Sequence, residues 1–386
     1  MSRQLRSGIP MTYHAFLPKS INVDEFRLMD TRNKVDLKLK YDRTAAVEKS
    51  FDVQDKVRQY IILANDRIES GNEIHNLRFG TAGKSLELQG FEPGTKITFT
   101  GRITFGYLEW KGPLVIIKGD KLTVEGKPGH LIDGEGHRWW DVLGGNGGKT
   151  KPYGIYCHLT HSVVNGLSIK NTPKHCFAIN TCEHTDFIGI TVDNADGHKK
   201  GGHNTDGFDV AKSHHITIQN SKVNNQDDCL AINSGTNILF KNNICEGGHG
   251  IAVAVGGYDV NEAKNILIKD CQVIKNNIGI RVKTALNGKG IVDGVTFDNV
   301  ILKDISEIGI VIIGNYLNSG PRGDPTGDLP IHNLVINNVR GNVLKNGTNH
   351  QIWVKNAKNW KWNSNVVGGT KKMPCQGVPN GLKVEC

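Results

Sequence analysis

NTDGFDVA (204–211), NQDDCLAIN (225–233), GGHGIAVAV (247–255) and GIRVKTA (279–285) decide how this chain folds. In the first three, a polar residue stands two places before an apolar run: Asp206 before Phe208, Asp228 before Leu230, His249 before Ile251. These polar residues are separated by 22 and then 21 residues. A period in the low twenties is the length of one coil of a parallel β-helix, in which each coil stacks on the last. Stacked strands lie about 4.8 Å apart, so residues one period apart in sequence become neighbours in space.

Outward from this stretch, short β-rich runs separated by Gly, Asn and Asp continue from about Leu77 to the C-terminus. The principal runs begin at 155, 177, 208, 230, 251, 280 and 309, with gaps of 22, 31, 22, 21, 29 and 29. One basic coil with occasional insertions accounts for these gaps, and insertions in solenoids gather on particular faces and build binding grooves. A sandwich or barrel with turns every 8–12 residues is the competing all-β reading. The recurring phrase in ITIQNSKV and ILIKDCQV favours stacked coils. So do the Asn-Asn and Asn-Gly corners, since stacked Asn side chains hydrogen-bond along a ladder. The expectation is an all-β parallel β-helix over 76–386, preceded by an extension or cap over 1–75. Within that extension, residues 45–70 carry helical spacing at Val53, Val57, Tyr60 and Ile61, and a short helix there would hide the open end of the solenoid.

The chain has 386 residues, 38% apolar and 22% charged, with 46 Gly, 12 Pro and 4 Met. No apolar run approaches the ~20 residues that span a bilayer, which argues against a membrane protein. The net charge is +9. Lysines are spread singly through the turns, with neither the dense basic patch nor the docking motif of a nucleic-acid binder. An acidic polysaccharide suits such a surface better. Eight cysteines point to an oxidising compartment. Cys229 with Cys245 (16 apart) and Cys375 with Cys386 (11 apart) have spacings that suit local disulfides, while Cys157, Cys176, Cys182 and Cys271 are not paired by spacing. The stretch Met1–Ser20 lacks the apolar core of a secretion signal.

Stacking would bring Asp206, Asp227, Asp228, His249, Arg281 and Lys283 to one face. Carboxylates this close cannot all ionise comfortably, so at least one should hold its proton to higher pH. A protonated acid beside an ionised base is what glycosidic cleavage requires. His249 can hydrogen-bond a carboxyl and set its protonation. Arg281 and Lys283 flank Val282 and point to the same strand face; a guanidinium fork with an ammonium suits a substrate that is itself a carboxylate. Each motif alone has a plainer explanation: an NTD turn, a solvated or calcium-binding acidic pair, a glycine turn, a solvated strand face. Their shared period is what makes a site.

NTDGFD, NQDDC, GGHGI and RVK, in this order and spacing, resemble the signature motifs of the polygalacturonases, glycoside hydrolase family 28. GHRWWD (136–141), GGNGGKTKP (144–152), IKNTP (169–173) and GIVI before Tyr316 extend the resemblance. It implies a right-handed parallel β-helix and inverting, endo-acting hydrolysis of α-1,4 linkages in polygalacturonate, by a secreted monomer that needs no metal or cofactor. By this resemblance Asp227 is the general acid, Asp206 and Asp228 activate water, and His249 supports the acid's protonation. Arg281, Lys283 and Tyr316, with Asn204, hold the galacturonate unit. Polygalacturonase-inhibiting proteins are expected partners. The rung spacing of about 4.8 Å lies nearer the ~5–5.5 Å of retaining carboxyl pairs than the ~6.5–9.5 Å of inverting ones, against the inversion that the resemblance implies. The chain departs from the family at HGIAVAVGG (249–257), shorter by one residue and without serines, and at Ile313, Gly314 and Asn315. Other readings are an exo-acting member, a non-catalytic pectin- or inhibitor-binding solenoid, and a calcium-dependent lyase.

Overall fold

A computed structural model of the protein describes residues 83–256, 260–317, 320–373 and 375–386, and before them the backbone of six short strands between Arg3 and Phe79. The helix expected within 45–70 lies outside the described residues. From Leu86 onward the chain winds as a right-handed parallel β-helix with three strand positions per coil. One coil runs through Phe208–Ala211, Ser213–Gln219 and Lys222–Asn224, and the next through Leu230–Ile232, Gly235–Lys241 and Ile244–Glu246. Each strand pairs in parallel with its counterpart one coil on.

The alternation read from the sequence fills the interior. Phe177, Phe208, Leu230, Ile251 and Ile280 face inward on successive rungs of the first sheet and are fully buried. Phe177 stacks on Phe208 at 5.3 Å between ring centroids. Each such side chain contributes about 1.5–3 kcal/mol on burial, so the stack holds its register. A one-residue slip would turn every apolar side chain outward.

The Asn corners serve as anticipated at one bend. Asn220, Asn242, Asp270, Asn299 and Asn338 all take positive φ, between 51° and 56°, a conformation in which Asn and Asp are the favoured non-glycine residues. Their side chains link from coil to coil: Asn242 donates to Asn220 at 2.7 Å, Asn299 to Asp270 at 2.7 Å, and Asn338 to Asn299 at 3.1 Å. Elsewhere the buried Asn residues bond backbone instead. Asn225, with no exposed surface, donates to the Thr205 and Asp228 carbonyls.

Both cysteine pairs suggested by spacing are disulfides, Cys229–Cys245 and Cys375–Cys386, with Cα atoms 5.6 and 5.8 Å apart. The other four cysteines are buried free thiols. Cys229–Cys245 crosses the inside of a coil directly behind Asp228.

The insertions frame the outer face of the first sheet from two edges. Residues 134–154 and 194–207 precede strands Ile155–Thr160 and Phe208–Ala211, and carry a 3₁₀ turn at Gly136–Arg138 and a single helical turn at Gly197–Lys200. Further along, 286–288 and the segment beyond Leu317 follow strands Ile278–Ala285 and Ile308–Leu317. The outer face of this sheet is therefore a groove running across the strands.

Candidate active site

Backbone hydrogen bonds align the residues at the entrance to this sheet. Gly154 N donates to His175 O, Cys176 N to Asp206 O, and Gly207 N to Asp228 O, at 2.7–2.8 Å. Tyr153, His175, Asp206, Asp228 and His249 thus occupy one position on five successive coils. Three of these follow from the offset noted above. The same offset before the runs at Phe177 and Ile155 points to His175 and Tyr153.

The Asp227-Asp228 turn is held from behind. Asp228 N donates to Asp227 Oδ1 at 2.8 Å. Gln226 exchanges hydrogen bonds with Thr205, Nε2 reaching the Asn194 carbonyl at 2.8 Å. The glycines of GGHG have a steric reason: a Cβ at Gly248 would collide with the Asp227 carbonyl, and Gly250 takes φ +76°.

Four carboxylates face the groove with five nitrogen-bearing partners. Asp227 accepts from Asn204 Nδ2 at 2.8 Å and lies 3.0 Å from His249 Nδ1. Asn204 is itself fixed by Gly145 N, which donates to its Oδ1 at 2.9 Å from the 134–154 insertion. Asp228 is nearly inaccessible and pairs with Arg281 through Nη2 and with Lys283 Nζ at 3.4 Å. Lys283 Nζ lies 4.5 Å over the Tyr316 ring, which a bulge after Lys283 brings opposite Ala285. His175 bridges the other pair, with Nδ1 at 2.8 Å from Asp209 and Nε2 at 3.5 Å from Asp206.

All eight residues anticipated from the sequence therefore meet in this groove. Two features differ from the expectation. Arg281 and Lys283, expected to face a substrate carboxylate, are engaged by Asp228. And the carboxyl with raised proton affinity is Asp206, not Asp227. Burial first, and then the charge of Asp227, push Asp206 well above the usual carboxylate range. Burial acts the same way on Asp227, but the His249 hydrogen bond and the charges of His249, Arg281 and Lys283 outweigh it and hold Asp227 low. His249 is raised in turn: burial opposes its charge, and the bond to Asp227 prevails. His175 rises to about 10, burial again opposing and Asp206 and Asp209 prevailing.

Two donor sets are compact enough to hold a metal ion, each with its ligand atoms mutually within 4.8 Å: His175 with Asp206 and Asp209, and Asp227 with Asp228 and His249. In the second set Asp228 is already faced by Arg281 and Lys283, so a divalent ion there would meet two fixed positive charges. The arrangement is better suited to moving protons beside an anionic ligand.

Residues 70–386 match the model of glycosyl hydrolases family 28. The endopolygalacturonase 1 of Colletotrichum lindemuthianum is 42% identical over 308 residues, 79% of this chain and 85% of that protein. The polygalacturonase of Penicillium digitatum is 47% identical over 305 residues, 78% of this chain and 83% of its own. Among solved structures, endopolygalacturonase I from Stereum purpureum, complexed with two galacturonate, superposes with a TM-score of 0.70 at 31% identity over 79% of this chain and 90% of that one.

Proposed function

From a chain that belongs to glycosyl hydrolases family 28 and hydrolyses polygalacturonic acid, we infer an endo-acting, single-displacement reaction at α-1,4-galacturonosyl linkages, with inversion. Asp227 protonates the leaving oxygen. Asp206 and Asp228 take a proton from the water that attacks the anomeric carbon on the opposite face. Arg281, Lys283 and Tyr316, with Asn204, hold the uronate unit. Asp206 acts as base in its ionised form, and its raised proton affinity sets the acid limb of the activity profile.

Asp227, held low, is ionised at rest and must gain a proton before it can donate one, and its environment supplies it. The proton it needs is on His249, with 3.0 Å between Nδ1 and Asp227 Oδ1. Arg281 and Lys283 contribute to holding Asp227 low. A galacturonate carboxylate arriving at those cations offsets their charge, which releases Asp227 to take the proton. The acid would thus be armed by the substrate. His175 keeps Asp206 and Asp209 apart in charge and fixed in place.

The single observation that carries this reading is the contact chain from His249 through Asp227 to Asn204, one coil beyond Asp206. Its test is a product time course on a defined galacturonate oligomer, followed by NMR of the first-formed anomer. New reducing ends of β configuration are expected. A retained α product overturns the single displacement. We further propose that the protein acts outside the cell as a monomer, that residues 1–75 form an N-terminal extension or cap whose last strand, Asn72–His75, pairs in parallel with Lys96–Thr100, and that inhibitor proteins dock over the groove. Two disulfides support an oxidising compartment; secretion by the native source and the mass in solution are the checks.

A further inference from the structure

Asp206 and Asp209 stand three residues apart in NTDGFD, on either side of Gly207 and Phe208. A Cβ on Gly207 would come within 2.5 Å of the Cys229 carbonyl, so the chain passes close over the next coil there, and Phe208 turns into the core. The two carboxylates are left on the groove side. On the coil before, Cys176 N donates to Asp206 O at 2.7 Å and Phe177 N to Gly207 O at 3.0 Å. These bonds fix His175 against both acids. One imidazole nitrogen and one oxygen from each carboxylate lie within 4.8 Å of one another.

The oxygens of this group are unsatisfied. Asp206 is only 6% exposed, and its Oδ1 is a buried atom that accepts no hydrogen bond among the described residues; the same holds for Asp209 Oδ2. His175 Nδ1 is 2.8 Å from Asp209 Oδ2 but out of line for a hydrogen bond, and Nε2 is 3.5 Å from Asp206 Oδ1. The imidazole thus lies near both carboxylates without satisfying either. Buried carboxylate oxygens are normally hydrogen-bonded or coordinate an ion. Asp227 and Asp228 show the first solution: they accept from Asn204, the Asp228 amide, Arg281 and Lys283. No lysine or arginine among the described residues pairs with Asp206 or Asp209. Lys174, next to His175 in sequence, is turned onto the Tyr153 ring, its Nζ 4.1 Å from the centroid.

We propose that His175, Asp206 and Asp209 bind a divalent transition cation of the zinc type, and that the bound ion inhibits the protein. One imidazole nitrogen and two carboxylate oxygens, with a further position open to the groove, are a donor set that zinc accepts. The donors close from within 4.8 Å to the roughly 3.4 Å between tetrahedral ligands at bonds of ~2.1 Å. The His175 side chain, 29% exposed, has room to make that shift by rotation. Binding displaces the His175 proton, and two carboxylates then face two positive charges in place of one. Calcium and magnesium, which take six or more ligands and favour oxygen, suit the set less. An ion held by Asp206 occupies the lone pairs that would take a proton from water. Binding stands on the geometry alone; inhibition rests on the proposed role of Asp206 as base.

The test is calorimetric titration of zinc chloride into the metal-free unsubstituted protein and its His175→Gln, Asp209→Asn and His249→Gln variants, with hydrolysis of a galacturonate oligomer followed alongside. The unsubstituted protein and His249→Gln are expected to bind zinc alike. His175→Gln and Asp209→Asn should bind it at least about tenfold more weakly, since even changes outside the ligand shell cost about 10–100-fold. Cobalt in place of zinc should give the intense visible bands of a low-coordinate site in the first two proteins only. Zinc should slow product formation by the unsubstituted protein, EDTA should restore it, and calcium or magnesium at the same concentration should leave it unchanged. Absence of zinc binding, an affinity unchanged in both His175→Gln and Asp209→Asn, or its loss in His249→Gln instead, overturns the site. Zinc bound at His175 without slowing hydrolysis overturns inhibition through Asp206. Failure of the hydrolytic reading would appear elsewhere, as absence of product from the metal-free protein.

Discussion

Asp206 with Asp209, and Asp227 with Asp228, are two pairs of carboxylates on neighbouring coils, balanced by different kinds of cation. Asp228 meets a guanidinium and an ammonium, Arg281 and Lys283. Among the described residues, Asp206 and Asp209 meet His175 alone as a cation, one that can be lost. Similar residues on equivalent rungs thus acquire opposite proton affinities, Asp206 raised and Asp227 lowered. Backbone repetition places the groups; burial and the balance of neighbouring charges, His249 first among those that lower Asp227, set their proton affinities. An acid and a base can be made from one residue type by this means alone.

The sharpest way to break this contrast is Asp227→Asn. It keeps the Asn204 and His249 side chains in place but removes the transferable proton, and turnover on polygalacturonate should fall about 10³-fold. Reducing-end assay checks it; a drop of less than about tenfold would place the acid elsewhere. Next is Arg281→Gln, which strips one of the two cations from Asp228 and the fork from the substrate, leaving Lys283. It should lower kcat/KM on the order of 10²-fold, as expected for a charge-assisted contact, and destabilise the protein by about 1–3 kcal/mol, because Lys283 still faces the buried carboxylate. Denaturant unfolding separates the two effects.

His175→Gln addresses the titratable side. Without the imidazolium, Asp206 should hold its proton more tightly, so the acid limb of the kcat/KM profile should move about one pH unit upward. The rate at the optimum should change less than in the first two variants. An unmoved acid limb would disconnect His175 from Asp206. The same histidine predicts a stability trend. Its folded pKa of about 10 exceeds the ordinary value of about 6.5, so its contribution is complete below about pH 6.5 and is lost as pH rises toward 10. Asp227 works in the opposite direction: depressed in the fold, it stabilises above the usual carboxylate range and loses that contribution as pH falls below it. The smallest expected effect is that of chelation. EDTA should leave the rate unchanged within error, since both pairs are balanced by side-chain cations; restoration of a lost rate by calcium would show that one of the compact donor sets binds metal.

Much of the fold was legible because its causes are local and repeated. Apolar alternation in FDVA, LAIN and IAVA points alternate side chains inward, and a regular interval stacks the coils. That interval also brought Asp206, Asp228 and His249 together, and the spacing of Cys229 and Cys245 indicated their disulfide. His175 was missed although it obeys the same offset, because the insertion that carries Asn204 stretches the following gap to 31 residues and hides the repeat. Tyr153 and Lys174 were missed for another reason: aromatic rings and lone lysines carry no signature until a groove gives them a common side.

From its letters alone this chain specified a solenoid, the rungs on which the acids stand, and a cationic partner further along the same face. Folding in three dimensions decided which carboxyl has the higher proton affinity, that Asp228 occupies Arg281 and Lys283, and that His175 stands between Asp206 and Asp209. The period is written along the backbone. A proton affinity is a sum over burial and charges at a few ångströms, contributed by residues tens of positions apart, and only the packed structure sets those distances.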